Sequence, residues 1–325
     1  MSELTCALVG LGRIGSSLES DPLREKPCTH AGAIFENPDC RLAAACDVQA
    51  EAREAFRAQW ADKPPFETFE HIDSLLNTVR PDILSIATPP HTHRSLVSKA
   101  ARVGVPVVIC EKPLAHSMRD ARAIARLHTS GRMKIVVNHE RRYSRDYQLV
   151  KAQVQSQRYG RLLSLRGTLY FGRSAAHRDV LLHDGTHMID IINYITDSVC
   201  EVRRRYGSMR ASTSSALLFG KAGEIPVCIE VGSERDHLVF ELELSFEQGR
   251  IRVGNGVLAF EESSPSPYYQ DYRSLLPADT PEVPNTGYFS GMLADAVKCC
   301  REPNYQPVSN AAASLEVMRF IRRSG

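Results

Sequence analysis

Short apolar runs alternate with amphipathic stretches through the first part of the chain. The runs predict buried strands at 4–9, 41–46, 82–87, 105–110 and 133–137. The stretches between them predict helices at 49–60, 92–102 and 117–129. Strands and helices that alternate in this way build a parallel sheet with helices on both faces. We therefore expect a doubly wound α/β domain over residues 1–137.

The spacing of apolar residues along the chain changes after residue 138. One stretch predicts a helix at 144–157, and alternating runs then predict strands at 162–171, 201–210, 215–219, 227–231, 238–246 and 250–260. Such alternation is typical of an antiparallel sheet with one buried face. Residues 263–286 hold five prolines and no apolar period, which predicts a long ordered loop or a mobile flap. With helices expected at 289–301 and 310–322, these elements form a second predicted domain over 138–325.

Composition narrows the class of protein. The 325 residues, 43% hydrophobic and 24% charged, indicate two globular domains. A net charge of +2 gives no attraction to nucleic acid or to a membrane surface, and no apolar run approaches the ~20 residues that span a bilayer. Nine cysteines without Cys-x-x-Cys spacing and the lack of a secretion signal predict reduced thiols in the cytoplasm.

A glycine motif follows the first predicted strand directly. Its sequence is Gly10-Leu11-Gly12-Arg13-Ile14-Gly15, the G-x-G-x-x-G pattern in which glycines allow a tight turn, close approach to a pyrophosphate, and close helix packing. The amino terminus of the following helix would face the phosphates with free N–H groups. We expect Gly10, Gly12, Arg13, Ile14 and Gly15 to bind a dinucleotide.

Asp47 ends the second predicted strand. A carboxylate there can accept hydrogen bonds from an adenosine ribose and repel a 2′-phosphate, which favours NAD over NADP. Gly15 and Asp47 are 32 residues apart, whereas the usual separation is about 20. We attribute the excess to an insertion over Ser16–Cys28, expected to be ordered above the cofactor–substrate crevice. The alternative is that Asp47 only caps a helix.

Charged and polar residues also follow two later strands. Glu111-Lys112-Pro113 comes after the apolar run Val105–Ile109, and Thr88-Pro89 with His93 comes after residues 82–87. Ligands of open parallel sheets bind outside the carboxyl ends of the strands. These residues are therefore candidates for the cofactor site. The alternatives are a solvated loop lysine and a histidine that only caps its loop.

A second polar cluster lies between two predicted strands of the second domain. It contains His183, Asp184 and His187, and helical spacing from Thr186 to Tyr194 places His187 in the first turn of a helix. The two histidines could be zinc ligands, but no convincing third ligand is present and the glutamate of His-Glu-x-x-His is missing. A structural histidine is the other alternative, and we expect no metal.

Five motifs occur in an order and at separations that are typical of one family: Gly10-x-Gly12-x-x-Gly15, Asp47, Ala87-Thr88-Pro89 with His93, Glu111-Lys112-Pro113, and Gly185-x-His187-x-x-Asp190. The whole chain resembles the Gfo/Idh/MocA family of sugar and polyol oxidoreductases, named for glucose–fructose oxidoreductase and inositol dehydrogenase. The resemblance implies a Rossmann domain and a carboxyl-terminal α/β domain with an open, mostly antiparallel sheet. It also implies a homodimer or homotetramer built through that sheet, and a cis bond between Lys112 and Pro113.

The resemblance implies that Lys112 and His187 are the catalytic pair. Inositol dehydrogenases of the family carry an aspartate four residues before the catalytic histidine, whereas this chain has His183 there, with Asp184 beside it. Either residue could partner His187, and the sequence leaves this choice open.

The predicted function is the NAD-dependent oxidation of a secondary hydroxyl of a sugar, inositol, polyol or sugar derivative. The cofactor supplies hydride chemistry, and the protein positions the substrate carbon. Two alternatives remain: an enzyme of the same family that cleaves glycosides with transient use of NAD, and a non-catalytic regulator that senses dinucleotide. Retention of both Lys112 and His187 argues against the regulator.

Overall fold

The computed structural model describes residues 2–172 and 175–324. The chain divides into two compact units, and the first is discontinuous in sequence. It comprises residues 1–144 and 285–318, whereas the second comprises 145–284 and 319–325.

The first unit contains a six-stranded sheet. Its strands are β1 (Leu4–Val9), β2 (Cys40–Cys46), β3 (Glu67–Phe69), β4 (Ile83–Ile86), β5 (Val107–Cys110) and β6 (Lys134–Val137). All neighbours pair in parallel, in the order β3-β2-β1-β4-β5-β6. This is the strand order of a Rossmann fold, so the predicted doubly wound α/β architecture is confirmed.

Helices cover both faces of this sheet. They are α1 (His30–Glu36), α2 (Ala50–Gln59), α3 (Ile72–Thr78), α4 (Pro90–Arg102) and α5 (Met118–Thr129). Successive strand residues point to opposite faces, so each strand contributes to two cores. On β4, for example, Leu84 and Ile86 pack with residues of α3, α4 and α5, whereas Ile83 belongs to the core that contains residues of α1 and α2.

The second unit contains an eight-stranded sheet. Its strands are β7 (Leu162–Tyr170), β8 (Cys200–Tyr206), β9 (Ser215–Ala222), β10 (Ile225–Gly232), β11 (Val239–Phe246), β12 (Gly249–Gly254), β13 (Val257–Pro265) and β14 (Arg273–Pro277). Their order is β14-β13-β12-β11-β7-β10-β9-β8. Among the described strands, only β7 and β10 pair in parallel. The predicted mostly antiparallel sheet is confirmed.

Two details of this sheet differ from the prediction. Residues 250–260 hold parts of two strands, because the chain turns at Asn255–Gly256 and Gly256 adopts φ +77°. The prediction of a loop over all of 263–286 is wrong, since β14 pairs with the end of β13. Alternation is hard to detect in this edge strand because its residues are half-buried or exposed throughout.

The remaining α-helices are α6 (Arg145–Ser156), α7 (His177–His183), α8 (Gly185–Thr196), α9 (Tyr288–Arg301) and α10 (Ala311–Ser324). Two short 3₁₀ helices span Ser17–Ser20 and Glu140–Tyr143. Helix α8 packs on β7, β8 and β9 and covers one face of the second sheet. In the described part of the chain, no helix has both the length and the apolar character that crossing a bilayer requires.

Helix α9 explains why the first unit is discontinuous. Helices α4 and α5 cover one face of β4, β5 and β6, and a parallel sheet requires cover on both faces. Helix α9 packs against the other face. Residues 285–318 therefore belong to the first compact unit, whereas the sequence predicts continuous domains at 1–137 and 138–325. The assignment of dinucleotide binding to the first predicted domain and of substrate binding and oligomerisation to the second stays a prediction.

A buried carboxylate anchors α9. Asp295 accepts hydrogen bonds from the hydroxyls of Tyr143 (2.7 Å) and Tyr305 (2.6 Å) and from the backbone N–H of Val308 (3.0 Å). Burial raises the pKa of Asp295, and these three hydrogen bonds act in the opposite direction. Because the donors come from two segments outside α9, the carboxylate joins the end of the β6 loop to the segment after α9.

We expect Tyr143→Phe to lower the free energy of unfolding by about 1–3 kcal/mol, because Asp295 loses a buried donor while the ring is kept. The measurement is urea denaturation of the full chain. Tyr206→Phe is the control, since Tyr206 is 75% exposed, and should change stability by less than about 0.5 kcal/mol. Equal stabilities of Tyr143→Phe and the wild type would contradict the anchoring role of Asp295.

Candidate active site

The glycine motif forms a tight turn at the end of β1. Gly10 adopts φ +94° and donates its N–H to the carbonyl of Cys46 at 2.8 Å. A Cβ on Gly10 would meet the carbonyl oxygen of Ala87 at 2.6 Å, and one on Gly15 would meet that of Gly10 at 2.1 Å. Gly12 is exposed, and a Cβ there would have no heavy atom within 4 Å. Two glycines therefore shape the turn, and the third leaves open space beside it.

The helix that follows this turn is interrupted. Its first turn is closed by Ser16 N–H, which donates to Gly12 O at 2.9 Å. The chain then leaves the helix and returns at α1, where His30 donates its N–H to Ile14 O (3.1 Å) and Ala31 donates to Gly15 O (3.0 Å). In an uninterrupted helix, residues 18 and 19 would make these bonds. The predicted insertion is therefore an excursion from within the helix.

The insertion is tied to the first unit at both ends. Glu19 accepts hydrogen bonds from the hydroxyl of Thr29 (2.6 Å) and from the backbone N–H of Cys28 (3.2 Å). Thr29 in turn caps α1 by accepting from the N–H of Gly32. Glu25 accepts from the N–H groups of residues 286 and 287, just before α9. These contacts order the segment, and its predicted position above the crevice stays a prediction.

Asp47 follows β2 beside the glycine turn. Its carboxylate accepts from the N–H of Leu11 at 2.8 Å and from the N–H of Gln49 at 3.0 Å. The side chain is half-buried, and a carboxylate has about four acceptor positions. Asp47 therefore supports the turn while it keeps capacity to accept from a ligand hydroxyl.

The loop after β4 is held by a buried histidine. His93 is fully buried in α4, with Nε2 2.8 Å from Thr88 O and Nδ1 3.2 Å from Leu114 O. Burial lowers the pKa of His93, and the hydrogen bonds to the two carbonyls only partly offset this effect. A neutral ring has one N–H and donates to only one of these two carbonyl oxygens at a time. Pro89 is extended and precedes α4. His93 thus joins the loop that carries Thr88 and Pro89 to the loop that carries Lys112.

Lys112 is half-buried directly after β5, and the Lys112–Pro113 peptide bond is cis, as expected from the resemblance. Glu111 is buried beside it. Its Oε2 accepts from the backbone N–H of Lys112 at 3.3 Å, and its Oε1 lies 2.9 Å from His30 Nε2 and 2.5 Å from Asn138 Nδ2. Burial raises the pKa of Glu111, but the hydrogen bonds of His30 and Asn138 and the charge of Lys112 bring it below its usual value.

Three residues near the carboxyl end of β5 were not predicted from the sequence. His30 and Asn138 bind Glu111, and Glu140 is a half-buried carboxyl whose pKa is raised by burial, against the lowering effect of Arg141 and Lys112. Asn138 and Glu140 follow β6, so their place after a parallel strand was an available signal. His30 had no such signal, because the insertion separates it from the glycine motif.

The second polar cluster lies in the second unit. His183 is exposed at the end of α7, Asp184 is half-buried between the two helices, and His187 is 7% exposed in the first turn of α8. The predicted helical position of His187 is therefore correct. Asp190 is buried three residues later, and residues at this spacing share a helix face.

The loops that carry the predicted residues of the first unit, and the loop that carries Asn138, all follow parallel strands at one edge of its sheet. In the strand order, the loops of Asp47, Gly10, Thr88, Lys112 and Asn138 follow β2, β1, β4, β5 and β6. A dinucleotide fits this edge: Gly12 offers open space and backbone N–H groups for a pyrophosphate, and Asp47 offers acceptors for a ribose. These residues would hold such a cofactor.

Comparison with known proteins agrees with this geometry. Residues 4–139 match the Gfo/Idh/MocA model, described as an oxidoreductase family with an NAD-binding Rossmann fold. Over these residues, which make up less than half of the chain, the protein is similar to this oxidoreductase family. This match supports the predicted family, enzyme class and dinucleotide-binding fold, whereas the choice between NAD and NADP, the oligomeric state and the roles of individual residues stay predictions.

Two curated relatives are inositol 2-dehydrogenases. The one from Corynebacterium glutamicum is 26% identical over 270 residues, which cover 77% of this chain and 74% of that enzyme. The one from Rhizobium meliloti is 27% identical over 187 residues, which cover 54% of this chain and 51% of that enzyme. The latter match thus spans about half of the relative.

Solved structures share the fold over nearly the whole chain. The WlbA dehydrogenase from Bordetella pertussis, in complex with NADH and UDP-GlcNAcA, superposes with a TM-score of 0.75. The match covers 99% of this chain and 95% of that one at 18% identity. At this identity the likeness concerns the fold.

We expect Gly12→Ala and Gly15→Ala to have different effects. Gly15→Ala places a methyl group against the Gly10 carbonyl and should destabilise the protein by about 2 kcal/mol or more. Gly12→Ala should leave stability unchanged but weaken dinucleotide binding, because the methyl group occupies the space for the pyrophosphate. Thermal unfolding and calorimetric titration with NAD measure the two effects. Undiminished binding by Gly12→Ala would contradict the assigned phosphate position.

Proposed function

We propose that the protein oxidises a secondary hydroxyl of a sugar, inositol or related polyol, with NAD as hydride acceptor. The observation that carries this proposal is the position of Lys112 at the end of β5, at the same sheet edge as the glycine turn and Asp47. The named activity of the inositol 2-dehydrogenase relatives supports the substrate class.

When bound, NAD would accept a hydride from the substrate carbon. As the hydride leaves, the hydroxyl must lose its proton, because a positively charged carbonyl oxygen would otherwise form. In the proposal, the imidazole of His187 accepts this proton, a task that imidazoles commonly perform as general bases. The Nζ ammonium of Lys112 stabilises negative charge on the same oxygen.

Steady-state NADH formation tests the proposal directly. The protein is incubated with NAD and with sugars, inositols, polyols and sugar derivatives in turn, and absorbance reports NADH. Sustained NADH production from at least one of these alcohols is expected. Cleavage of a glycoside without net NADH would instead favour the glycoside-cleaving alternative, and dinucleotide binding without any turnover would favour a regulator.

We expect His187→Ala to lower kcat by about two to four powers of ten, the usual contribution of a general base. NAD affinity should change little. His187→Gln serves as a second variant that fills more of the buried space if the alanine variant folds poorly. Rapid-mixing kinetics and NAD titration measure both quantities.

His183→Ala is the matched control, since His183 is exposed at the end of α7. It should keep kcat and at most raise the KM for the alcohol. Lys112→Met, which keeps the apolar stem, should lower kcat. Near-normal turnover by His187→Ala together with loss of turnover by His183→Ala would reverse the assignment of the base.

We further propose that Asp47 makes the protein prefer NAD to NADP, because its carboxylate would repel a 2′-phosphate. The Kd for NADP should exceed that for NAD by about tenfold or more, a difference of about 1.4 kcal/mol. Asp47→Asn should narrow this ratio, since the amide removes the charge and keeps an oxygen that can accept from Leu11. Calorimetric titration of both cofactors provides the constants.

The control for Asp47→Asn is Asp62→Asn, which removes an exposed charge beyond the far end of α2. This variant should keep the wild-type ratio. Equal affinity of the wild type for NAD and NADP would show that Asp47 does not face the ribose.

A further inference from the structure

His30 has no role in the glycine motif or in the predicted catalytic pair, yet it is one of the most enclosed polar residues of the first unit. It is 1% exposed, and its Nε2 lies 2.9 Å from Glu111 Oε1. Its ring packs edge-on against Phe289, with centroids 5.6 Å apart and planes at 87°. The imidazole therefore has a fixed orientation, and Glu111 is its polar partner.

The hydrogen bonds indicate the protonation of this pair. His30 Nδ1 is buried and has no hydrogen-bond partner among the described residues, so a second proton there would bury an unpaired donor. The arrangement fits a neutral ring that donates from Nε2 to an ionised Glu111. Donors on both carboxylate oxygens agree with an ionised Glu111.

Glu111 transmits this contact to Lys112. One carboxylate oxygen is held by His30 and Asn138, and the other accepts from the backbone N–H of Lys112. Loss of the His30 donor would leave a buried charge with fewer partners, which costs more than an ordinary hydrogen bond. The carboxylate would then rotate or take up a proton, and the Lys112 backbone would lose its fixed acceptor.

We propose that His30 is a positioning residue for Lys112, which it orients through the buried carboxylate of Glu111. The histidine reaches this place because α1 resumes after the insertion with His30 N–H bonded to Ile14 O. The catalytic consequence of this inference rests on the proposed function, in which Lys112 acts on the substrate oxygen. The claim that His30 orients Lys112 does not depend on the proposed function.

The test compares His30→Leu, which removes the donor at similar size, with His30→Gln, whose amide N–H can take the place of Nε2–H. His30→Leu should lower kcat by about tenfold to a hundredfold, the range known for outer-shell residues that orient metal ligands. The Kd for NAD should change little. His30→Gln should recover most of the lost kcat, which a purely structural role for the ring would not predict.

The matched control is His128→Leu. His128 is a second buried histidine of the first unit, and its Nδ1 accepts from the backbone N–H of Ile135 at 3.2 Å. This variant also loses one buried hydrogen bond, so it should lower the unfolding temperature while kcat stays at the wild-type value. Equal losses of kcat in His128→Leu and His30→Leu would overturn the proposal in favour of general destabilisation.

A double-mutant cycle tests the route through Glu111. In the Glu111→Gln background, His30→Leu should have little further effect on kcat, because residues that act through one contact are not additive. If the two effects multiply independently, His30 does not act through Glu111.

Hydrogen exchange provides a readout that needs no substrate. In the apo protein, peptides covering 110–116 should exchange faster in His30→Leu than in the wild type, and His30→Gln should restore slow exchange. Unchanged exchange in His30→Leu would overturn the positioning role. Faster exchange in a protein that oxidises none of the alcohols would instead refute the proposed function and leave the positioning role supported.

Discussion

A charged carboxylate that is buried needs hydrogen-bond donors, and Glu111 obtains them from three separate parts of the chain. His30 comes from α1, Asn138 from the end of β6, and the backbone of Lys112 follows Glu111 itself. An unpaired charge in this place would be costly. The loop after β5 can therefore keep its shape only while α1 and β6 hold His30 and Asn138 against Glu111. This dependence couples the glycine turn to the loop that carries Lys112.

Much of the fold follows from apolar patterning. Strands such as β1, β5 and β6 are buried on both faces, so their sequences are continuous apolar runs that the pattern detects. Glu67–Phe69 escaped detection because it is a three-residue strand at the sheet edge with no buried residue. Helix α7, with seven residues, is too short to show a helical period against its neighbours. In both cases tertiary contacts decide the structure, and local sequence carries little of that information.

The candidate site, like the fold, could be predicted from the sequence only in part. The glycine motif, Asp47 and Lys112 could be predicted, because each directly follows a recognisable strand and the carboxyl edge of a parallel sheet gathers such residues. The insertion could also be predicted, from the excess spacing before Asp47. What the sequence could not indicate is that α1 resumes the interrupted helix through bonds to Ile14 and Gly15. Those bonds join distant positions, and they bring His30 to Glu111.

The discontinuous first unit has a consequence for biosynthesis. Residues 145–284 leave the ribosome before α9, which supplies the missing cover for β4, β5 and β6. At a synthesis rate of about 5–20 residues per second, one apolar face of these strands stays uncovered for on the order of ten to thirty seconds. The nascent chain therefore carries an exposed sheet face while most of the second unit is produced, and this interval is when aggregation or chaperone binding competes with folding.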